Sequence, residues 1–147
     1  MTPQEKANAV RDYALSCNGT ENRWRHGLAR RLTYSDGVKF LAETCGAYWL
    51  VDIVASYVAT TRAVQNKAFQ LWRLDPTEYA VRVVYEDGNE EFKLWRDGAR
   101  VVCEDGNENV IITQDILCTD FPRELMPFKL FCENGGDDWL LMLPEER

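Results

Sequence analysis

Between Asp36 and Arg62 the apolar residues recur at the three-to-four-residue spacing of a helix rather than at the alternate positions of a strand. Phe40, Thr44, Ala47, Val51, Val54 and Val58 form one stripe, and Val38, Leu41, Cys45, Trp49 and Ile53 form a neighbouring one. Together they are too wide for the buried face of a surface helix, so the pattern predicts one long central helix over 36–62, packed on at least two sides. Ser35 and Asp36 are the candidate N-caps. Gly46, which costs about 1 kcal/mol against alanine inside a helix, marks a close crossing or a kink. Upstream, Thr2-Pro3-Gln4-Glu5 is a capping box with proline at the first helical position. Ala7, Val10, Ala14 and Cys17 continue it as a helix from about Pro3 to Cys17, and Asn18-Gly19 supplies a left-handed stop.

After Asn66 the period changes to two. Phe69, Leu71 and Arg73 alternate with Gln70, Trp72 and Leu74, and Asp75-Pro76 is expected to end that strand. VVYEDGNEEF at 83–92 then recurs as VVCEDGNENV at 101–110, with Asp97-Gly98 between the copies. Asp-Gly and Gly-Asn are hairpin chemistry because such turns need positive φ. A meander follows, with strands near 78–85, 90–96, 99–104 and 108–118. Thr119-Asp120-Phe121-Pro122 breaks it. Phe128–Cys132 and Trp139–Leu143 read as one more hairpin before a frayed acidic end.

The predicted architecture is therefore α+β and occupies residues 1–147 as a single globular domain. An antiparallel sheet of five or more strands packs against the long central helix, with the N-terminal helix alongside. Lys39, Glu43, Asp52 and Arg62 interrupt the most apolar stretch, and no charged-then-apolar leader opens the chain, so no membrane segment is expected and a cytoplasmic protein is. Cysteines at 17, 45, 103, 118 and 132 are odd in number and scattered, with only His26 to complete a metal site. They read as free thiols in a reducing compartment, with no metal and no cofactor.

The net charge of −7 is unevenly distributed. Residues 1–75 carry ten Lys/Arg against seven Asp/Glu, whereas residues 76–147 carry seven against seventeen. An acidic half argues against general binding to nucleic-acid phosphate and suits a protein that meets a basic partner. Glu86, Asp87, Glu90, Glu91, Glu104, Asp105 and Glu108, on the expected hairpin tips, are the candidate partner-binding residues. Their spacing is not that of an EF-hand loop, and solvated turns account for them without calcium.

The opposite charge gathers at Arg23, Arg25, Arg30 and Arg31, with Trp24 and His26 among them. A basic run interleaved with an aromatic can clamp phosphate and stack a base, which makes Arg23, Trp24, Arg25, Arg30 and Arg31 an alternative ligand site. The same arginines can instead pair within the chain, with Asp36 or Asp52 as the nearest partners. A short helix here would put Trp24, Leu28 and Leu32 on one side. His26 is expected to be a hydrogen-bonded structural residue, its use as an acid/base ranking third among the readings.

The segments GTENRWRH (19–26), YSDGVKFLAETCGAYWLVDIVAS (34–56), FQLWRL (69–74), CEDGNEN (103–109), TDFP (119–122) and ENGGDDWLLMLP (133–144) together resemble an uncharacterised family of small bacterial and bacteriophage proteins, a domain of unknown function. The chain departs from that pattern between Asp75 and Arg100, where the first EDGN hairpin reads as an added element. The resemblance implies a phage or mobile-element setting and carries no catalytic residue. The expectation is a non-enzymatic, acidic protein-binding module, such as an inhibitor of a bacterial defence or nucleic-acid enzyme, whose partner is a host protein with a basic surface. A nucleic-acid or nucleotide binder using the basic cluster is the alternative, and a homodimer is left open.

Overall fold

The structure, a computed structural model, describes residues 1–17 and 19–147. Asn18, half of the expected left-handed stop, lies outside them; Gly19 has φ 96°. Helix α1 (Pro3–Leu15) starts with Thr2 Oγ1 accepting from Glu5 N, one half of the expected capping box. Strands β1 (Arg23–Arg25) and β2 (Leu32–Ser35) follow, then α2 (Asp36–Cys45), α3 (Tyr48–Thr60) and the single turn α4 (Arg62–Gln65). Strands β3 (Phe69–Val84), β4 (Glu90–Glu104), β5 (Val110–Ile116), β6 (Phe128–Asn134) and β7 (Trp139–Met142) complete one seven-stranded sheet in the order β1-β2-β7-β6-β3-β4-β5.

The long central helix over 36–62 is not formed. Gly46 adopts left-handed φ 61°, ψ 38° and caps α2, and Ala47 N closes back on Ala42 O at 2.8 Å. The corner divides both apolar stripes: α2 buries Val38, Leu41 and Cys45 of one, while α3 buries Val51, Val54 and Val58 of the other. An apolar face too wide for one helix is thus explained by a corner that resets which side faces inward. Ser35, not Asp36, caps α2 through Oγ to Val38 N at 3.2 Å.

The sheet is also not purely antiparallel, because β2 and β7 pair in parallel. Leu32, Thr33 and Tyr34 stand opposite Trp139, Leu140 and Leu141, and Thr33 Oγ1 donates to Trp139 O at 2.7 Å. Parallel neighbours need a long connection, and the helices together with β3–β6 supply it. One sheet face, carrying Trp72, Leu74, Val101, Cys103, Leu130 and Leu141, packs on the helices. Tyr57 of α3 reaches across it to Gln114, hydroxyl to Oε1 at 2.8 Å.

The meander exists with fewer and longer strands than expected. Strand β3 runs straight through Asp75-Pro76, because pairing with β6 stops at Leu74 and an unpaired strand side tolerates proline. Strand β4 runs through Asp97-Gly98, where glycine serves close approach rather than a turn: a Cβ there would lie 2.6 Å from Thr77 Oγ1 and 3.2 Å from Ile116 O. The two EDGN copies do form hairpin tips, with Gly88 at φ 87° and Gly106 at φ 88°. They cap the two ends of β4. The end expected to fray is ordered, since Glu146 is buried against Ser35 and Gly37.

Candidate functional site

The basic run is a strand hairpin, so the helical side expected to hold Trp24, Leu28 and Leu32 does not arise: Leu28 is 93% exposed and Leu32 fully buried. Arg25 clamps Asp138 with two hydrogen bonds of 2.9 and 3.0 Å and also reaches Arg30 O. The hydrogen bond from Arg25 holds the Asp138 carboxyl below its ordinary pKa, and Asp138 in turn raises Arg25. The internal ion pair of the cluster is therefore made with Asp138, not with Asp36 or Asp52. Arg31 donates to the carbonyls of Asp137 (3.0 Å) and Gly136 (3.3 Å). Both arginines fasten the β6–β7 turn to the β1–β2 hairpin.

Asp36 gathers Glu21 N, Asn22 N and the Trp24 indole N–H at 3.0–3.2 Å. Burial pushes its carboxyl up, but those hydrogen bonds outweigh burial and leave it below the ordinary value. Lys39 Nζ lies 4.4 Å from the Trp24 ring centroid. One ring face that a base would need is thus already covered by a cation. Arg30 and Arg31 border a shallow cavity of about 360 Å³ with Leu28, Ala29, Val58 and Gln65.

His26 has both ring nitrogens engaged. Nδ1 accepts from Ala29 N at 2.9 Å and Leu28 N at 3.2 Å, so the proton sits on Nε2, which donates to Asp52 Oδ1 at 2.8 Å. Asp52, one of the expected arginine partners, is solvent-exposed and meets His26 instead. Neither nitrogen is left to take a proton from a substrate. Ser56, nearby on α3, donates to Ile53 O at 2.8 Å. Among the described residues no group of three or more His, Cys, Asp and Glu is arranged to hold a metal ion.

The seven acidic candidates do not share one surface. Glu86, Asp87, Glu90 and Glu91 surround the β3–β4 tip, and Glu104, Asp105 and Glu108 the β4–β5 tip; the fifteen residues of β4 separate them by roughly 45 Å. At the second tip Glu104 is 7% exposed and accepts from Arg73 at 2.8 Å, while the same guanidinium donates to Asp75. Asp105 is consumed by its own turn, accepting from Asn107 N at 2.8 Å and Asn109 Nδ2 at 2.9 Å. At the first tip Asp87 likewise holds Asn89 at 2.9 Å. Glu90 meets Arg82, and Glu91 meets the Tyr85 hydroxyl and Lys93. Tyr85, then Lys93, lower the Glu91 carboxyl.

What the sequence reading missed lies beneath that first tip. From Tyr79 to Val84 and from Glu90 to Trp95 the two strands, among the described residues, pair only with each other, since the pairing of β3 with β6 stops at Leu74 and that of β4 with β5 begins at Ala99. This ribbon extends beyond the sheet and exposes Phe92 (71%), Val84 (58%) and Leu94 (50%), with Tyr79 and Tyr85 exposed as well. The alternation that signalled strands was visible. That no other element covers them was not.

The chain belongs to a family of unknown function, DUF6876, whose model matches residues 13–147. No curated protein and no solved structure matches it. Among the described residues no helix is long and apolar enough to cross a membrane.

Proposed function

We propose that this protein is a small, non-enzymatic protein-binding module whose contact element is the projecting β3–β4 ribbon. The observation that carries the reading is the ribbon itself: a two-stranded arm, marginal in water on its own, exposes Phe92, Leu94 and Val84 together with an acidic tip. Aromatic and aliphatic anchors supply affinity, while Glu86, Asp87, Glu90 and Glu91 steer toward a basic surface. In the bacterial or bacteriophage setting, that surface is the substrate groove of a cytoplasmic defence or nucleic-acid enzyme, which the arm blocks. Nucleic-acid binding through Arg23–Arg31 has less support, because Arg25 and Arg31 are tied to the 136–138 turn and Lys39 stands over Trp24.

The test is a photo-cross-linking residue placed at Phe92 and, as a control, at Leu15 at the far end of α1. A discrete foreign adduct from position 92 alone, weakened by reversing Glu86 and Asp87 at low salt, is the expected result. Identical adducts from both positions, or none from position 92, overturn the reading.

A further inference from the structure

We propose that the ribbon is a homodimerisation arm, in which the free edge of β4 over Glu90–Arg96 pairs antiparallel with the same segment of a second copy about a twofold axis at Lys93. This rests on the reading of the ribbon as the binding element: self-pairing uses the backbone edge of β4 and leaves the strand faces and the acidic tip to the foreign partner. Over that segment β4 has β3 on one side and, among the described residues, no strand on the other. Pairing with β5 begins only at Ala99, and Thr119 N reaches Asp97 O at 2.7 Å just beyond the segment. An exposed edge of this length, with apolar side chains on it, is a template for strand addition.

The register follows from the side chains. Alternation places Glu90, Phe92, Leu94 and Arg96 on one face of β4. A twofold axis at Lys93 sets Glu90 opposite Arg96 of the second copy and Phe92 opposite its Leu94. Acid then meets base twice and apolar meets apolar twice. Each charge also has a neighbour on β3: Glu90 contacts Arg82, and Arg96 lies 3.3 Å from Glu78. Across the four strands of the arm the charges therefore alternate in sign, Arg82, Glu90, then Arg96 and Glu78 of the second copy. The other free edge lacks this symmetry. Pairing β3 with itself about Val81 would set Ala80 against Arg82 and Glu78 against Val84. On the opposite face Lys93 meets its own copy, although each Lys93 brings its own Glu91 at 3.3 Å, and Glu91 stands opposite Trp95 of the second copy; these are the unfavourable contacts of the pairing.

Because the pattern is self-complementary, charge reversal can be rescued in trans. The intact chain should sediment at twice its 17.0 kDa mass. Glu90→Arg and Arg96→Glu alone each place like charges across the axis twice and should return the protein to single-chain mass, with the circular dichroism spectrum unchanged. An equimolar mixture of the two variants should form a heterodimer, and the double variant E90R/R96E should self-associate again. A wild-type protein that stays at single-chain mass overturns the proposal, as does a dimer that survives both reversals, or a mixture that fails to associate. A single-chain mass together with a foreign adduct at Phe92 would leave the ribbon's binding role standing while removing self-pairing.

Discussion

The Glu146 carboxylate lies 2.5 Å from the Ser35 hydroxyl, and the pair joins the last helical turn of the structure to the first turn of α2. The same carboxylate accepts from Gly37 N at 3.1 Å and Leu143 N at 2.9 Å. Ser35 Oγ in turn accepts from Val38 N. A carboxylate at a helix N-terminus is favoured by the macrodipole, and here it is also fully hydrogen-bonded out of water. Glu146→Ala would strand three buried donors and should cost about 3 kcal/mol in urea unfolding. Glu146→Gln, which turns an amide N–H toward one of those donors, should cost roughly half as much.

Gly37 should resist substitution for the same reason. A Cβ there would lie 2.7 Å from Leu143 Cδ1 and would press on the Glu146 carboxylate. Gly37→Ala should therefore destabilise by about 1–3 kcal/mol although alanine is the better helix former. Combined with Glu146→Ala its penalty should shrink, a coupling that a double-mutant cycle measures.

Gly46 distinguishes the observed corner from an unbroken helix. In a continuous helix Gly46→Ala would stabilise by about 1 kcal/mol. At φ 61° a Cβ is strained, so the substitution should instead destabilise by about 1–2 kcal/mol, read from a denaturant midpoint at constant m-value.

His26 should be structural. Removing its ring frees Leu28 N, Ala29 N and Asp52 together, and His26→Ala should lower stability by about 1–3 kcal/mol. Long-range nitrogen–proton correlation spectra should show the Nε2–H tautomer, because Nδ1 is the acceptor. An Nδ1–H signal would mean that the 26–29 loop is held some other way.

The buried thiols make the fold alkali-sensitive. Burial pushes Cys45 up to about 11 and Cys103 up to about 12, and raises Cys132 as well. In the unfolded chain a thiol ionises near ~8.5, so from there to the folded value the unfolded chain holds fewer protons and stability falls as pH rises. The contribution is fully present below ~8.5, and each thiol adds a slope of at most ~1.4 kcal/mol per pH unit above it. The melting temperature should drop from about pH 9, and Cys45→Ala should flatten that drop even while lowering the plateau.

Local chemistry determined much of this molecule. The N-cap at Thr2, the period change after Asn66, the EDGN tips and the final hairpin each rest on contacts within a few residues, and each is where the pattern places it. The corner at Gly46 was signalled as a kink but not as a break, because a glycine's choice of left-handed φ depends on where both flanking helices find the sheet. Pro76 and Gly98 carry turn residues through unbroken strands, since whether a side of a strand is paired, or a neighbouring carbonyl lies close, is a property of other segments. The same holds for the charges. Sequence proximity grouped seven carboxylates and five basic-cluster residues. Only the three-dimensional pairing decided that Arg25 answers to Asp138, that Glu104 is buried beside Arg73, and that the two acidic tips stand at opposite ends of one strand. Partner choice across such distances is set by strand order and register, which a single chain's local pattern leaves open.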